Sequence, residues 1–193
     1  MHRIGANLGR VGMALLLWSC SDGTGTDADN PQLTFSYSGE RSGAFHAQGT
    51  RPTHDIGHVA FVTAFRTAVG ELQVCAFRPT SGGAGDLAVF NLGPVTYPGS
   101  YLLPPPAQPG ALSYQQGFAG FGVDSARTGM VDLFTLSGGS VEISTLSMTR
   151  VSGSLVASLK HAELPEPPDP QLTISGGTFD LLIGDPNVPA ICQ

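Results

Sequence analysis

Positive charge is scarce in this chain: lysine and arginine together number nine in 193 residues, and Lys160 is the single lysine. Neutralisation of phosphates by Lys and Arg supplies most nucleic-acid affinity. With no basic cluster, a nucleic-acid partner is excluded, and so is adhesion to anionic lipid through charge. Cysteine is scarce as well. Cys20, Cys75 and Cys192 are the three, and none forms a C-x-x-C pair, which removes a dithiol redox motif. Also missing are a Gly-x-Ser-x-Gly nucleophile elbow and a glycine-rich phosphate loop opening onto a helix. Nothing marks a pair of carboxylates in an aromatic-lined cleft, as glycoside hydrolysis requires. No cofactor is implied, and an enzyme is not the leading expectation.

Glycine and proline are abundant, at 26 and 15 residues, while charged residues make up 12%. No stretch sustains a helical period for three turns, whereas alternation with period two recurs along the chain. This pattern predicts an all-β domain over 32–193, an antiparallel β-sandwich or alternatively a β-barrel, of about 9–10 strands. The expected strands are 32–38, 42–48, 58–66, 71–78, 86–92, 95–102, 129–136, 140–148, 151–160 and 171–183. Val59, Phe61 and Phe65 fall on one face of the third. Turns are expected at Gly39, Gly70, Gly82-Gly83, Gly93 and Gly138-Gly139. In the last strand Leu172 and Ile174 sit at even positions and Phe179, Leu181 and Ile183 at odd ones. Neighbouring side chains point to opposite faces, so an extra residue at Gly176-Gly177, a β-bulge, is needed to keep them together. The proline-rich segments 104–109 and 164–170 cannot join a ladder and belong at the surface.

The first nineteen residues read differently. Arg3 and Arg10 precede an apolar stretch, Val11-Gly12-Met13-Ala14-Leu15-Leu16-Leu17-Trp18, and then Ser19-Cys20. Eight residues rise about 12 Å as a helix, less than half of a bilayer core, so the stretch is not a membrane span. A positive start, a short apolar core and small residues before a cut site describe an export signal over 1–19. Leu17 at −3, Ser19 at −1 and Cys20 at +1 resemble the lipobox of bacterial lipoproteins. That resemblance implies a diacylglycerol on the Cys20 thiol and, in many bacteria, a third acyl chain on its amine, a palmitate-type modification that anchors the chain to a membrane. Three chains far exceed the marginal hold of one. Residues 20–31, small and polar, then form a flexible tether. Ser21 at +2 points to the outer rather than the inner membrane, at the periplasmic or outer face of the cell envelope. Cleavage would remove Arg3 and Arg10 and so take the formal net charge from −6 down by two to −8.

With Cys20 lipidated, Cys75 and Cys192 remain in an oxidising compartment, and a disulfide between them is the first reading; two separate thiols are the alternative. His54 and His58, with His46 nearby in sequence, are the weak candidates for a metal site. Their H-x₃-H spacing is diagnostic only on a helix, so a solvated turn is the plainer reading. The aromatics Tyr97, Tyr101, Tyr114, Phe118 and Phe121 surround the first proline-rich segment and are candidates for ligand binding. Their rings could stack on a sugar or on a partner's prolines, or Phe118 and Phe121 could plug one end of the domain.

Four segments also carry a family resemblance: Gly99-Ser100-Tyr101-Leu102, then Gly139-Ser140-Val141-Glu142-Ile143-Ser144, then Val151-Ser152-Gly153-Ser154-Leu155, then Gly176-Gly177-Thr178-Phe179-Asp180. In that order they resemble a broad group of bacterial lipoproteins of unknown function, whose strands close a β-sandwich-like domain. The resemblance covers about the last hundred residues and implies the fold alone; Leu155 stands where the group usually has an aromatic. The expected role is a membrane-anchored extracytoplasmic binding or structural module, with an envelope protein or glycan as partner. The alternative is an envelope hydrolase or metal-dependent enzyme using the His46, His54 and His58 region.

Overall fold

The computed structural model describes residues 30–50, 59–80, 85–103, 120–125, 130–162 and 171–184, apart from the side chains of 124–125 and 130–132. Ten strands occur among them: β1 (Gln32–Gly39), β2 (Gly43–Gln48), β3 (Phe61–Arg66), β4 (Leu72–Pro79), β5 (Gly85–Asn91), β6 (Gly99–Leu102), β7 (Gly120–Ser125), β8 (Met130–Leu146), β9 (Arg150–His161) and β10 (Leu172–Leu182). All belong to one antiparallel sheet in the order β2-β1-β10-β9-β8-β7-β5-β4-β3, with β6 paired to β8 beside that path. The all-β expectation holds, and the single sheet curls into a near-barrel instead of dividing into the two layers of a sandwich.

Apart from the displaced β6, each strand lies beside its neighbours in sequence, and β1 also lies beside β10. This is an up-and-down meander wrapped round on itself. The seam falls between β2 and β3. There Val62 N–H donates to the Gly49 carbonyl at 2.9 Å. Further along, Ile183 forms a parallel bridge to Ala64, and Gly184 N–H donates to the Ala64 carbonyl at 2.8 Å. β10 thus runs past the start of β1 and reaches β3 directly. Pro31, expected in the tether, is already part of the wall: it is buried, and its carbonyl accepts from Gly49 N–H at 2.9 Å.

Period two explains which residues fill the interior. Leu33, Phe35 and Tyr37 of β1 face inward with Phe45 and Ala47 of β2, Val62 and Ala64 of β3, and Leu72, Val74 and Ala76 of β4. The bulge anticipated in the last strand is present. Its pairing with β9 shifts between Ile174 and Gly177, and Gly176 adopts φ +59°, so Ile174 and Phe179 both point inward despite opposite parity.

Four expectations require correction. Gly138-Gly139 is not a turn between two strands but a bulge inside one, β8, whose pairing with β9 shifts between Leu136 and Gly138. Gly139 at φ +153° lies so close to β9 that a Cβ there would meet the Val156 carbonyl oxygen at 2.4 Å. The side-chain parity shows the same insertion, since Leu136 and Val141 are both core residues. The third strand begins at Phe61, leaving Val59 outside it and exposed, and the sixth is shortened to Gly99–Leu102. β7 was not anticipated at all.

Candidate functional site

Aromatic rings occupy the centre of the barrel. Phe35 stacks on Phe45 with centroids 4.8 Å apart and meets Phe90 and Phe121 edge-on at 6.2 and 5.2 Å. Phe121 also meets Phe45 at 5.6 Å and Tyr37 at 5.1 Å. Such pairs add about 0.5–1.5 kcal/mol each beyond the area they bury. Phe121 is fully excluded from solvent. It therefore leaves the set of ligand-binding candidates: it sits on a strand, and what it packs is the core.

Arginines at two positions tie down the ends of strands that face this interior. Arg78, at the end of β4, pairs with the buried carboxylate of Asp86 through both Nε (3.1 Å) and its other terminal nitrogen. It also donates to the Ala44 carbonyl at 2.6 Å and lies 5.3 Å over the Phe45 ring. Arg66, at the end of β3, donates to the Val95 carbonyl at 3.1 and 3.2 Å and to the Gly70 carbonyl at 3.2 Å. Val95 and Leu103 are buried against the same core.

The surface near β6 carries Tyr97 and Tyr101, the other ligand-binding candidates among the described residues. Tyr97 is 65% exposed, and its ring lies 5.8 Å from that of Tyr101 at 45°. The Tyr101 hydroxyl donates to the Tyr97 carbonyl at 2.7 Å, while its ring is half-buried against the core. Tyr97 is therefore an exposed ring resting on an anchored one. On the outer face of β6, Ser100 Oγ donates to Glu142 and Leu102 stands 82% exposed. Tyr114 and Phe118 lie outside the described residues.

His46 is exposed on β2, its Nδ1 3.4 Å from Thr34 Oγ1. His54 and His58 lie outside the described residues, and within them no three metal-ligating side chains come together. Cys20 and Cys192 are likewise outside. Cys75 is fully buried and disulfide-bonded.

Its surroundings were not anticipated. Phe61, Phe65, Cys75, Phe77 and Val89 form a second apolar cluster, separate from the interior and on the opposite face of β3, β4 and β5, with Leu87 and Leu133 packed against it. The signal was present in β4, where Leu72, Val74 and Ala76 alternate with Gln73, Cys75 and Phe77, so that apart from Gln73 both faces are apolar.

The chain matches no known family model, no curated protein and no solved structure.

Proposed function

We propose that the chain is a lipid-anchored envelope protein that acts by binding, not by catalysis, and that it holds a glycan at the surface beside β6. The observation that carries this reading is Tyr97, an exposed ring held by Tyr101, set against an interior filled by side chains. A fixed, exposed aromatic with polar neighbours suits the flat apolar face of a sugar ring. Ser100 on β6 and Glu142 opposite it on β8 supply hydroxyl-binding groups on the outer face. The membrane attachment rests on the signal at 1–19 and on Cys20, and the ten residues 21–30 give the barrel a polar tether.

Two measurements test the two parts. Palmitate labelling should mark the wild-type chain and not Cys20→Ala, which should accumulate as uncleaved precursor; equal labelling refutes lipidation. Co-sedimentation with insoluble cell-wall glycan should weaken by up to about tenfold in Tyr97→Ala, the loss of one stacking contact. Unchanged retention with an intact fold removes Tyr97 from the site.

A further inference from the structure

The path of strands has two ends, β2 and β3, and they are finished differently. The free side of β3 is occupied: Val62 N–H donates to the Gly49 carbonyl, and Ala64 bridges to Ile183 while its carbonyl accepts from Gly184 N–H. β3 meets the chain just after β2 and runs on towards the end of β10, so it does not lie along β2. Within β2 the ladder to β1 uses alternate residues. Gly49 N–H, next in that alternation, donates to Pro31 on the β1 side, which leaves Ala44, His46 and Gln48 with N–H and C=O directed away from β1. Among the described residues one group reaches them, the Arg78 guanidinium at the Ala44 carbonyl. All three residues are exposed.

Unpaired backbone on an edge strand is a template for another strand, and edges that stay single are guarded by lysine, proline or a bulge. β2, Gly43-Ala44-Phe45-His46-Ala47-Gln48, has no lysine, no other charged residue and no proline, and its register with β1 runs without a shift. The interior decides what can add to it. A peptide docking at an edge gains specificity from pockets for its alternate side chains. Inside the barrel those places are taken, since Phe45 stacks on Phe35, meets Phe121 and lies under Arg78. A second copy of β2 needs no pocket, because Phe45 and Ala47 of each copy are already buried in their own barrel.

We propose that β2 pairs antiparallel with β2 of a second copy of this chain, about a two-fold axis at His46, and so joins two barrels through one continuous sheet. His46 then faces His46 of the partner subunit in a hydrogen-bonded pair. Ala44 faces Gln48 of the partner subunit, a short side chain beside a long one, and neither pairing includes an acidic residue, a lysine or an arginine. The outer polar row that ends at His46 continues into the second copy. One six-residue edge buries less than the roughly 1,200 Å² of a lasting interface, so the pair is weak and exchanges. It requires neither the lipid anchor nor the glycan site.

Cross-linking the full chain in cells that express it, with a short bismaleimide, traps such a pair and passes over the disulfide-bonded Cys75. Hydrogen-bonded antiparallel partners have Cα atoms about 5.5 Å apart. His46→Cys should therefore give a covalent dimer whose two linked peptides both contain position 46. Thr178→Cys lies in the same row two strands inward, about five strand spacings or 24 Å from its counterpart, and should give about tenfold less dimer. Added to His46→Cys, the pair Ala44→Lys and Gln48→Lys sets like charges directly opposite and should cut the dimer about tenfold. Ala44→Lys with Gln48→Glu sets opposite charges there and should restore it. Both positions are exposed, and these substitutions leave every backbone bond in place. No dimer at position 46, equal yields at 46 and 178, or the same response to both charge pairs overturns the pairing. Capture of a different protein at position 46 in place of a second copy overturns the choice of occupant.

Discussion

Along β4 six consecutive residues, Leu72 to Phe77, are buried, whereas along β9 burial alternates: Val151, Leu155, Ala157 and Leu159 lie inside, and Ser152, Ser154, Val156 and Ser158 face outward. Both strands are antiparallel members of the same sheet. They differ in what lies beyond the outer face. The wall made by β8, β9, β10, β1 and β2 meets solvent there with a row set by register, His46, Thr34, Thr178, Ser154, Glu142 and Ser100, in which no residue is apolar. The wall made by β3, β4 and β5 carries phenylalanine on both sides. A strand with one solvated face announces its orientation by alternation, and a strand covered on both faces does not.

The strongest way to break this contrast is to truncate one phenylalanine on each side of the sheet. Phe35→Ala in the interior and Phe61→Ala on the outer face of β3 should each lower the free energy of unfolding by about 3–5 kcal/mol. Urea denaturation measures both. A loss below about 1 kcal/mol for Phe61→Ala would show that the outer cluster does not behave as core.

A smaller effect is expected at a close approach between two strands of the solvated wall. A Cβ on Gly153 would lie 2.1 Å from the Glu142 carbonyl oxygen and 2.9 Å from the Phe179 ring that covers this glycine from β10. Gly153→Val should cost about 1–3 kcal/mol through overpacking. Gly138→Ala, on the same wall with nothing within 4 Å of the new methyl group, should stay within about 0.5 kcal/mol of wild type. Thermal melts of the two variants side by side check the difference, and equal melting temperatures would contradict it.

The smallest effect belongs to the outer surface of that wall. Arg150 and Asp180 form a two-pronged pair at 2.6 and 2.7 Å, but their side chains are 29% and 36% exposed. Arg150→Ala should cost about 1 kcal/mol or less, and the cost should shrink further in high salt. A chemical-denaturation series at two salt concentrations tests this; a larger loss that ignores salt would assign Arg150 a packing role instead.

Strand bounds were legible on both walls. β1, β2, β4, β5, β9 and β10 lie within a residue of their expected bounds, whereas β8 was expected as two strands; the bulge at Gly176 followed from side-chain parity alone. β7 was missed because a six-residue strand among glycines offers too little alternation to read. Gly138-Gly139 misled because a turn and a bulge both call for backbone that only glycine adopts easily. At the candidate site, the sequence singled out Tyr97 and Tyr101 by residue type and position alone. The loss of Phe121 to the core could not be read, since it depends on strands distant in sequence.

Local pattern was thus sufficient to determine that this protein is all-β, roughly where most of its strands lie, and that the last of them must carry an inserted residue, because side-chain parity is a property of neighbouring residues. The curling of one sheet into a near-barrel, the meeting of β10 with β3, and the assignment of Phe61 and Phe77 to the outside instead of the interior were decided by tertiary structure. When both faces of a strand are apolar, the alternation that tells inside from outside vanishes, and only packing against distant segments breaks the tie.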